Sequence, residues 1–225
     1  MANNEEQHWW FVVRRTILSK WATQLEAGSA VLDVGAGAGR QSILLKEIHG
    51  LAVKSLELSS AGVEYCEAKN LDVIQADATK IPYENEFFDG VIAMDILEHI
   101  PDDQLAVQEL ARVMKRGASL FVTVPAFPFL WSKHDEKVSH IRRYRKSEIE
   151  SLVENNGLKI VNIRYWNSIL FPVGVITRLL SLDNSKMTVP PRPLNQFLKK
   201  LTSTEARFRI FGKLPGITLI VEAKK

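Results

Sequence analysis

Apolar residues return at helical spacing from Trp9 to about Leu25, through Phe11, Val12, Leu18, Trp21 and Ala22, until Gly28 interrupts them. The period then changes. "AVLDVGA" (30–36) is a short apolar run ending in glycines, the pattern of a strand buried on both faces. A helical stretch over 40–48 follows it. Strand and helix then alternate: "LAVKSLEL", a helix over 61–69, "DVIQADA", "FDGVIAMDIL", a helix over 102–114, "ASLFVTVPA", a helix over 147–155 and "LKIVNIRYW", with "GITLIVEAKK" last. Such alternation predicts an α/β fold with a mostly parallel sheet and helices on both faces.

Two segments break the alternation. One is the polar loop 127–146 after the fifth strand. The other, about 167–215, holds an apolar helix candidate over 169–182, the break "VPPRP" and an amphipathic stretch "LNQFLKKLTSTEARF". Insertions of that length usually serve function, which suggests a lid. The expected layout is one domain over 1–225: an N-terminal arm (1–28), a core (29–166), a helical lid insertion (167–215) and a last strand (216–225).

Composition changes this picture little. The 225 residues are 46% hydrophobic and 24% charged, as in an ordinary globular chain. A formal charge of +3 is too small to argue for nucleic acid. Cys66 is the single cysteine, so no intramolecular disulfide can form, which suits a reducing compartment. The N-terminus lacks the basic and apolar regions of a signal peptide, and no apolar run reaches the roughly 18 to 20 residues that span a bilayer. The expected location is cytoplasmic.

"LDVGAGAGR" carries the first chemistry. A strand opens into Gly35, Gly37 and Gly39, which permit a tight turn and a close approach of backbone N–H groups to a ligand. The spacing is not the dinucleotide fingerprint G-x-G-x-x-G, because the third glycine comes one residue early. Asp33 precedes the loop. Glu57 ends the second strand about 20 residues on, where a carboxylate can bind a ribose diol, with Leu58 beside it. Asp77, followed by Ala78, ends the third strand and can accept from an adenine amine. Any one of these acids could be a solvated strand end. Together they fall at the carboxyl ends of parallel strands, the edge where open α/β sheets bind ligands.

These residues resemble the class I S-adenosylmethionine-dependent methyltransferases. "VLDVGAGAG" looks like the family's first motif, "LELS" like its ribose motif, and "ADATKIPYENEFFDGVIAMDILEHIPD" like its adenine and post-adenine region. The resemblance implies a Rossmann-like seven-stranded sheet with an antiparallel last strand, and S-adenosyl-L-methionine as cofactor. It places Asp33 and the glycines near the methionine moiety, Glu57 at the ribose, Asp77 at the adenine and Asp95 between cofactor and acceptor. The reaction it implies is in-line attack of an acceptor atom on the activated methyl, with a general base only where the acceptor must lose a proton.

The acceptor is less legible. The [Asp/Asn]-Pro-Pro-aromatic run of enzymes that methylate exocyclic base amines is absent where "DILEHI" stands, and no RNA-binding module is apparent. The loop "SKHDEKVSHIRRYRKSE" offers His134, His140 and Tyr144 as catalytic candidates, and Arg142 or Arg143 to hold an acidic acceptor; it also reads as a solvated loop leading to a helix. His134, Asp135 and His140 could bind a metal, but the spacing is unspecific and no metal is assigned. "HWWF…RR", "WSKHD…HIRRY" and "NSILFP" resemble a bacterial subgroup of these enzymes. Between Arg192 and Lys213, six basic residues face one acid, Glu205, a net +5. Beside the apolar helix this suggests an amphiphilic, anionic or lipid-linked small-molecule acceptor and peripheral contact with a membrane; an ordinary core helix with a basic exterior is the competing and slightly simpler reading.

Trp9, Trp10 and Phe11 are expected to close over the acceptor or cofactor, with Arg14 or Arg15 reaching the cofactor carboxylate. The rings could instead anchor the arm on the sheet. Two other functions stay open: a nicotinamide-dependent oxidoreductase, opposed by the glycine spacing and by Tyr65 and Lys69 falling on an early helix, and a non-catalytic cofactor-binding, membrane-associated accessory protein.

Overall fold

The computed structural model describes residues 6–179, 189–208 and 211–225. Seven strands form one sheet: β1 (Ala30–Val34), β2 (Ala52–Glu57), β3 (Asp72–Gln75), β4 (Phe88–Met94), β5 (Met114–Pro125), β6 (Lys159–Trp166) and β7 (Thr218–Lys224). Their order is β3-β2-β1-β4-β5-β7-β6. The pairs from β3 to β5 are parallel, and β7 runs antiparallel to both β5 and β6. This is the Rossmann-like mixed sheet that the alternation predicted.

The central strands are buried on both faces, and successive side chains point to opposite ones. Leu32, Val91, Ala93, Leu120 and Val122 join one core cluster with Leu110 of α4 (Asp103–Val113) and Ile149 of α6 (Lys146–Glu154). Val31, Ile92 and Phe121 face the other way, against Val13, Ile17, Leu18 and Trp21 of α1 (Trp9–Ala22). The rear of the arm is therefore a core helix, and its apolar stripe has the sheet as its partner.

Local chemistry sets several boundaries. Asp102 caps α4 by accepting from Leu105 N at 2.9 Å. The predicted helix over 40–48 is α-helical only over α2 (Arg40–Ile43) and continues as a π-helical turn, Leu44–Ile48; α3 (Ser60–Glu67) follows β2. β4 stops before Asp95, whose φ of +53° leaves the extended region. The predicted apolar helix is present as α7 (Phe171–Leu179), with 169–170 in a turn before it; 180–182 lie outside the described residues, as does Arg209. α8 (Arg192–Arg207) packs along α1, where Asn195 Oδ1 accepts from Trp9 N at 2.9 Å and Asn195 Nδ2 donates to Gln7 O at 2.8 Å. Among the described residues, no helix is long and apolar enough to cross a membrane.

Candidate active site

The glycine loop follows β1, and its shape comes from three left-handed residues: Gly35 at φ +73°, Gly37 at +53° and Gly39 at +72°. The three serve differently. A Cβ on Gly35 would lie 2.8 Å from the Ile96 side chain, and one on Gly39 would collide with Leu71 Cδ1, so both are needed for packing. Around Gly37 a Cβ would meet nothing within 4 Å. Its N–H points at the carboxylate ending β2, with Glu57 Oε2 accepting at 2.8 Å. Glu57 Oε1 accepts from Ser59 N and Oγ at 2.9 and 2.8 Å. A carboxylate offers about four lone-pair sites, so Glu57 keeps acceptor capacity toward the open groove. Leu58 is 65% exposed beside it. Asp77 is exposed, with Oδ1 accepting from Thr79 N and Oγ1 at 2.8 Å, and Ala78 is buried behind it. An open left-handed loop, an acid with spare acceptor sites and an exposed apolar side chain fit the methionine, ribose and adenine moieties of S-adenosyl-L-methionine.

Asp33 is placed otherwise than a ligand contact requires. It is buried beneath the loop, where it accepts from Ser42 Oγ at 2.5 Å. Burial raises its carboxyl to about 6, with the Ser42 hydrogen bond opposing and nearby Glu57 adding to the rise. Asp33 supports the loop from behind.

One strand over, Asp95 begins the loop after β4. Its Oδ1 accepts from Thr123 Oγ1 at 2.9 Å, and its Oδ2 pairs with Arg14 at 2.8 Å. Arg14, expected at the cofactor carboxylate, is buried and held by Asp95 instead. Next to this pair lies a cavity of about 360 Å³ lined by Trp9, Trp10, Phe11, Glu98, His134 and His140, among others. Asn167 and Arg178 of the insertion and Thr218 of β7 complete it. The arm, the 127–146 loop and the insertion thus meet around one pocket. His8 opens α1 by accepting from Trp10 N through Nδ1 at 3.2 Å, and the Trp10 ring lies 4.7 Å from that of Trp166.

The loop opposite is built on one carboxylate. Asp135 Oδ2 accepts from Ser132 N at 2.9 Å, closing a capping box at the start of α5 (Lys133–Lys137). Its Oδ1 accepts from Arg143 Nε at 2.8 Å and from His140 Nδ1 at 2.9 Å. The His140 and Arg143 bonds hold the Asp135 carboxyl far below the ordinary range despite its burial. These contacts bear on three expectations. Arg143 lines the pocket, but its guanidinium is spent on Asp135 and on Ala126 O at 3.1 Å, so it braces the loop where an acceptor-binding role was expected. Asp135, already bonded to Arg143 and His140, does not join His134 as a metal ligand. Tyr144 does not face the pocket: its hydroxyl bonds Leu97 O at 3.1 Å and Asp103 Oδ2 at 2.7 Å, and burial with Asp103 pushes the phenol far above its usual value. The reason is alternation. Tyr144 forms a parallel bridge with Ala126, and adjacent residues of an extended segment point to opposite sides.

Glu98 was not singled out from the sequence. It lies in the 3₁₀ turn Leu97–His99 after β4, is 0% exposed, and neither carboxylate oxygen has a hydrogen-bond partner. Burial, then the charge of Asp95, raises its carboxyl well above the ordinary value. The available signal was an acid between Leu97 and Ile100, where an apolar residue would be expected to continue the run.

Residues 32–122 match the methyltransferase-domain family. The matched stretch takes in the glycine loop, Glu57, Asp77, Asp95 and Glu98. A sarcosine/dimethylglycine N-methyltransferase of Halorhodospira halochloris is 31% identical over 133 residues, 55% of this chain and 48% of that protein. A 27-O-demethylrifamycin SV methyltransferase of Amycolatopsis mediterranei (strain S699) is 32% identical over 114 residues, 45% and 42% of the two chains. The chain spans less than half the length of the curated relatives it matches. Among solved structures, a SAM dependent methyltransferase from Archaeoglobus fulgidus superposes with a TM-score of 0.63 at 16% identity, covering 94% of this chain and 92% of the other. Haemonchus contortus phosphoethanolamine N-methyltransferase 2, in complex with S-adenosyl-L-methionine, superposes at 0.62 and 19% identity, covering 94% and 52%. These structures share the fold. Over 32–122 the family match and the relatives agree on a methyltransferase domain, and they favour neither the nicotinamide-dependent nor the accessory reading.

Proposed function

We propose that this chain transfers the methyl of S-adenosyl-L-methionine to a small-molecule acceptor held in the 360 Å³ cavity beside Asp95. One observation carries the reading: the open face of Gly37 with the Glu57 carboxylate at 2.8 Å stands at the same sheet edge as that cavity, one strand away. The cofactor supplies an activated methyl. Glu57 and the open face of the glycine loop at Gly37 hold it, Trp9, Trp10 and Phe11 exclude water, and His134 is within the cavity wall to receive an acceptor proton. Rate then comes from positioning in a dry site. The three segments resembling a bacterial subgroup line one pocket, which supports treating them as a set.

The test is a thermal titration. S-adenosylhomocysteine should raise the melting temperature and NAD should not; the reverse outcome refutes the proposal. Glu57→Ala should weaken S-adenosylhomocysteine about 10- to 100-fold, the loss expected for one or two charge-assisted hydrogen bonds.

An amphiphilic acceptor is supported by the surface of the insertion. Val173 and Ile176 on α7 and Phe197 on α8 are 56%, 54% and 61% exposed, beside the exposed cations Lys199 and Lys200. The chain should sediment with anionic vesicles at low salt, and Lys199→Glu with Lys200→Glu should reduce the bound fraction several-fold. Equal binding by both proteins removes the lipid-surface reading.

A further inference from the structure

We infer that Glu98, His99 and His140 form a binding site for a divalent first-row transition metal whose open positions face the acceptor cavity. One ligand atom from each lies within 4.8 Å of the others. A tetrahedral site with bonds of about 2.0–2.2 Å needs separations of about 3.4 Å, so small side-chain rotations close it.

Three observations support the site independently. The first is Glu98 itself. A carboxylate with no exposure and no hydrogen-bond partner is expensive, and buried polar groups are normally satisfied. The second is the orientation of the imidazoles. His99 Nδ1 lies 3.0 Å from Ser139 O, and a carbonyl can only accept, so that nitrogen carries the proton. His140 Nδ1 likewise donates to Asp135 Oδ1 at 2.9 Å. As neutral imidazoles both histidines then present Nε2 as the acceptor nitrogen, and His140 Nε2 stands 3.7 Å from Glu98 Oε1. Donation from the far nitrogen to a carbonyl or carboxylate is how metal-bound histidines are held.

The third observation is charge balance. Arg14 pairs with Asp95 at 2.8 Å and Arg143 with Asp135 at 2.7 Å, which leaves Glu98 as the carboxylate of the group without a guanidinium of its own. A cation supplies the missing charge. Two imidazoles and one carboxylate suit zinc, iron or cobalt better than calcium or magnesium, which favour all-oxygen shells. The backbone also fixes the geometry, since Ile141 N donates to Glu98 O at 2.9 Å and locks the 97–99 turn against the 127–146 loop.

Glu98 and His140 line the cavity, so the metal's remaining positions open into it. An oxygen-bearing acceptor, a hydroxyl or a vicinal diol, would complete the coordination sphere. This role rests on the methyltransferase reading, whereas the site itself does not.

The full chain, stripped with chelator and desalted, is titrated with Co²⁺ and followed by its visible absorption and by metal content per chain. One ion per chain is expected, with affinity lowered at least tenfold in Glu98→Gln and in His99→Gln, each checked for native circular dichroism. Binding that is absent from the parent chain, or unchanged in both folded variants, overturns the site. If Glu98→Gln does not fold, His99→Gln alone decides, because His99 is only partly buried. S-adenosylhomocysteine is titrated calorimetrically into the same samples. Nucleoside binding without cobalt binding overturns the metal site alone, and cobalt binding without nucleoside binding overturns the methyltransferase reading alone.

Discussion

The two halves of the ligand edge are built by different means. On the cofactor side every element lies between Ala30 and Asp95, and the decisive contact, Gly37 to Glu57, joins residues 20 apart in sequence. On the acceptor side Trp9 is fixed by Asn195, 186 residues away, and the pocket draws walls from five separate segments. A local device can be reused unchanged on many chains, and the family match of 32–122 covers the glycine loop and its acids but only Asp95 and Glu98 of the pocket. The acceptor side consists of long-range contacts that no short motif encodes, which is where a substrate preference can differ between relatives.

Each half also contains a buried acid, and the two are stabilised oppositely. Asp135 has a guanidinium and an imidazole; Asp33 has the Ser42 hydroxyl. The largest expected effect follows from breaking the first. Asp135→Asn leaves Arg143 buried without its counter-charge and should cost about 3–5 kcal/mol, the usual penalty for an orphaned buried ion. Denaturant unfolding would read this directly. A loss under about 1 kcal/mol would mean that the loop is held by its backbone bonds to Pro125 and Glu98, and the contrast between the halves would weaken.

The second prediction concerns pH. Asp33 has a folded value raised to about 6 against an ordinary 3.8. The folded state therefore holds that proton more tightly than the unfolded state, and this group's penalty grows as pH rises from about 4 to 6, reaching a plateau above. Two units correspond to about 3 kcal/mol at most. Asp33→Asn removes the penalty while still accepting from Ser42, so its stability relative to the parent should increase from pH 4 to pH 7. Asp135 has the opposite sign: its stabilisation is present above the ordinary carboxylate range and is lost only as the solution becomes strongly acidic. Parallel pH dependence in Asp33→Asn and the parent chain would remove Asp33 as the cause.

What is legible in the sequence follows the same division. The sheet is legible because buried parallel strands are apolar runs of strand length, and turns between them are marked by glycine. The cofactor groove is legible because its chemistry needs positive φ and an acid at fixed strand ends. Tyr144 escapes such reading because its direction depends on the bridge to Ala126, a contact made only after folding. Arg14 and Arg143 look like ligand-binding cations because a sequence cannot say which charge already has a partner. Glu98 is hidden for a related reason. One acid in an apolar context looks like a solvated turn until its burial is known.

The smallest expected effect on stability decides what the arm is for. α1 has two parts: Val13, Ile17, Leu18 and Trp21 pack on the sheet, while Trp10 lines the cavity and leans on Trp166 with ring centroids 4.7 Å apart. Trp10→Ala leaves Val13, Ile17, Leu18 and Trp21 on the sheet and removes the half-buried ring's contacts with Trp166 and Trp9. The expected cost is about 1–2 kcal/mol, below the range for a fully buried tryptophan. S-adenosylhomocysteine affinity should stay within a few-fold, since the glycine loop and Glu57 are untouched. Methyl transfer should fall about tenfold or more, because water enters a site whose rate depends on positioning in a dry cavity. A radiolabelled methyl-transfer screen over cell extracts, run in parallel with the parent chain, reads this whatever the acceptor is. Equal labelling by both proteins would make the front of the arm an anchor like its rear. Loss of labelling with cofactor affinity retained assigns Trp10 to the acceptor side, and the boundary between the two halves then runs between Asp95 and the arm.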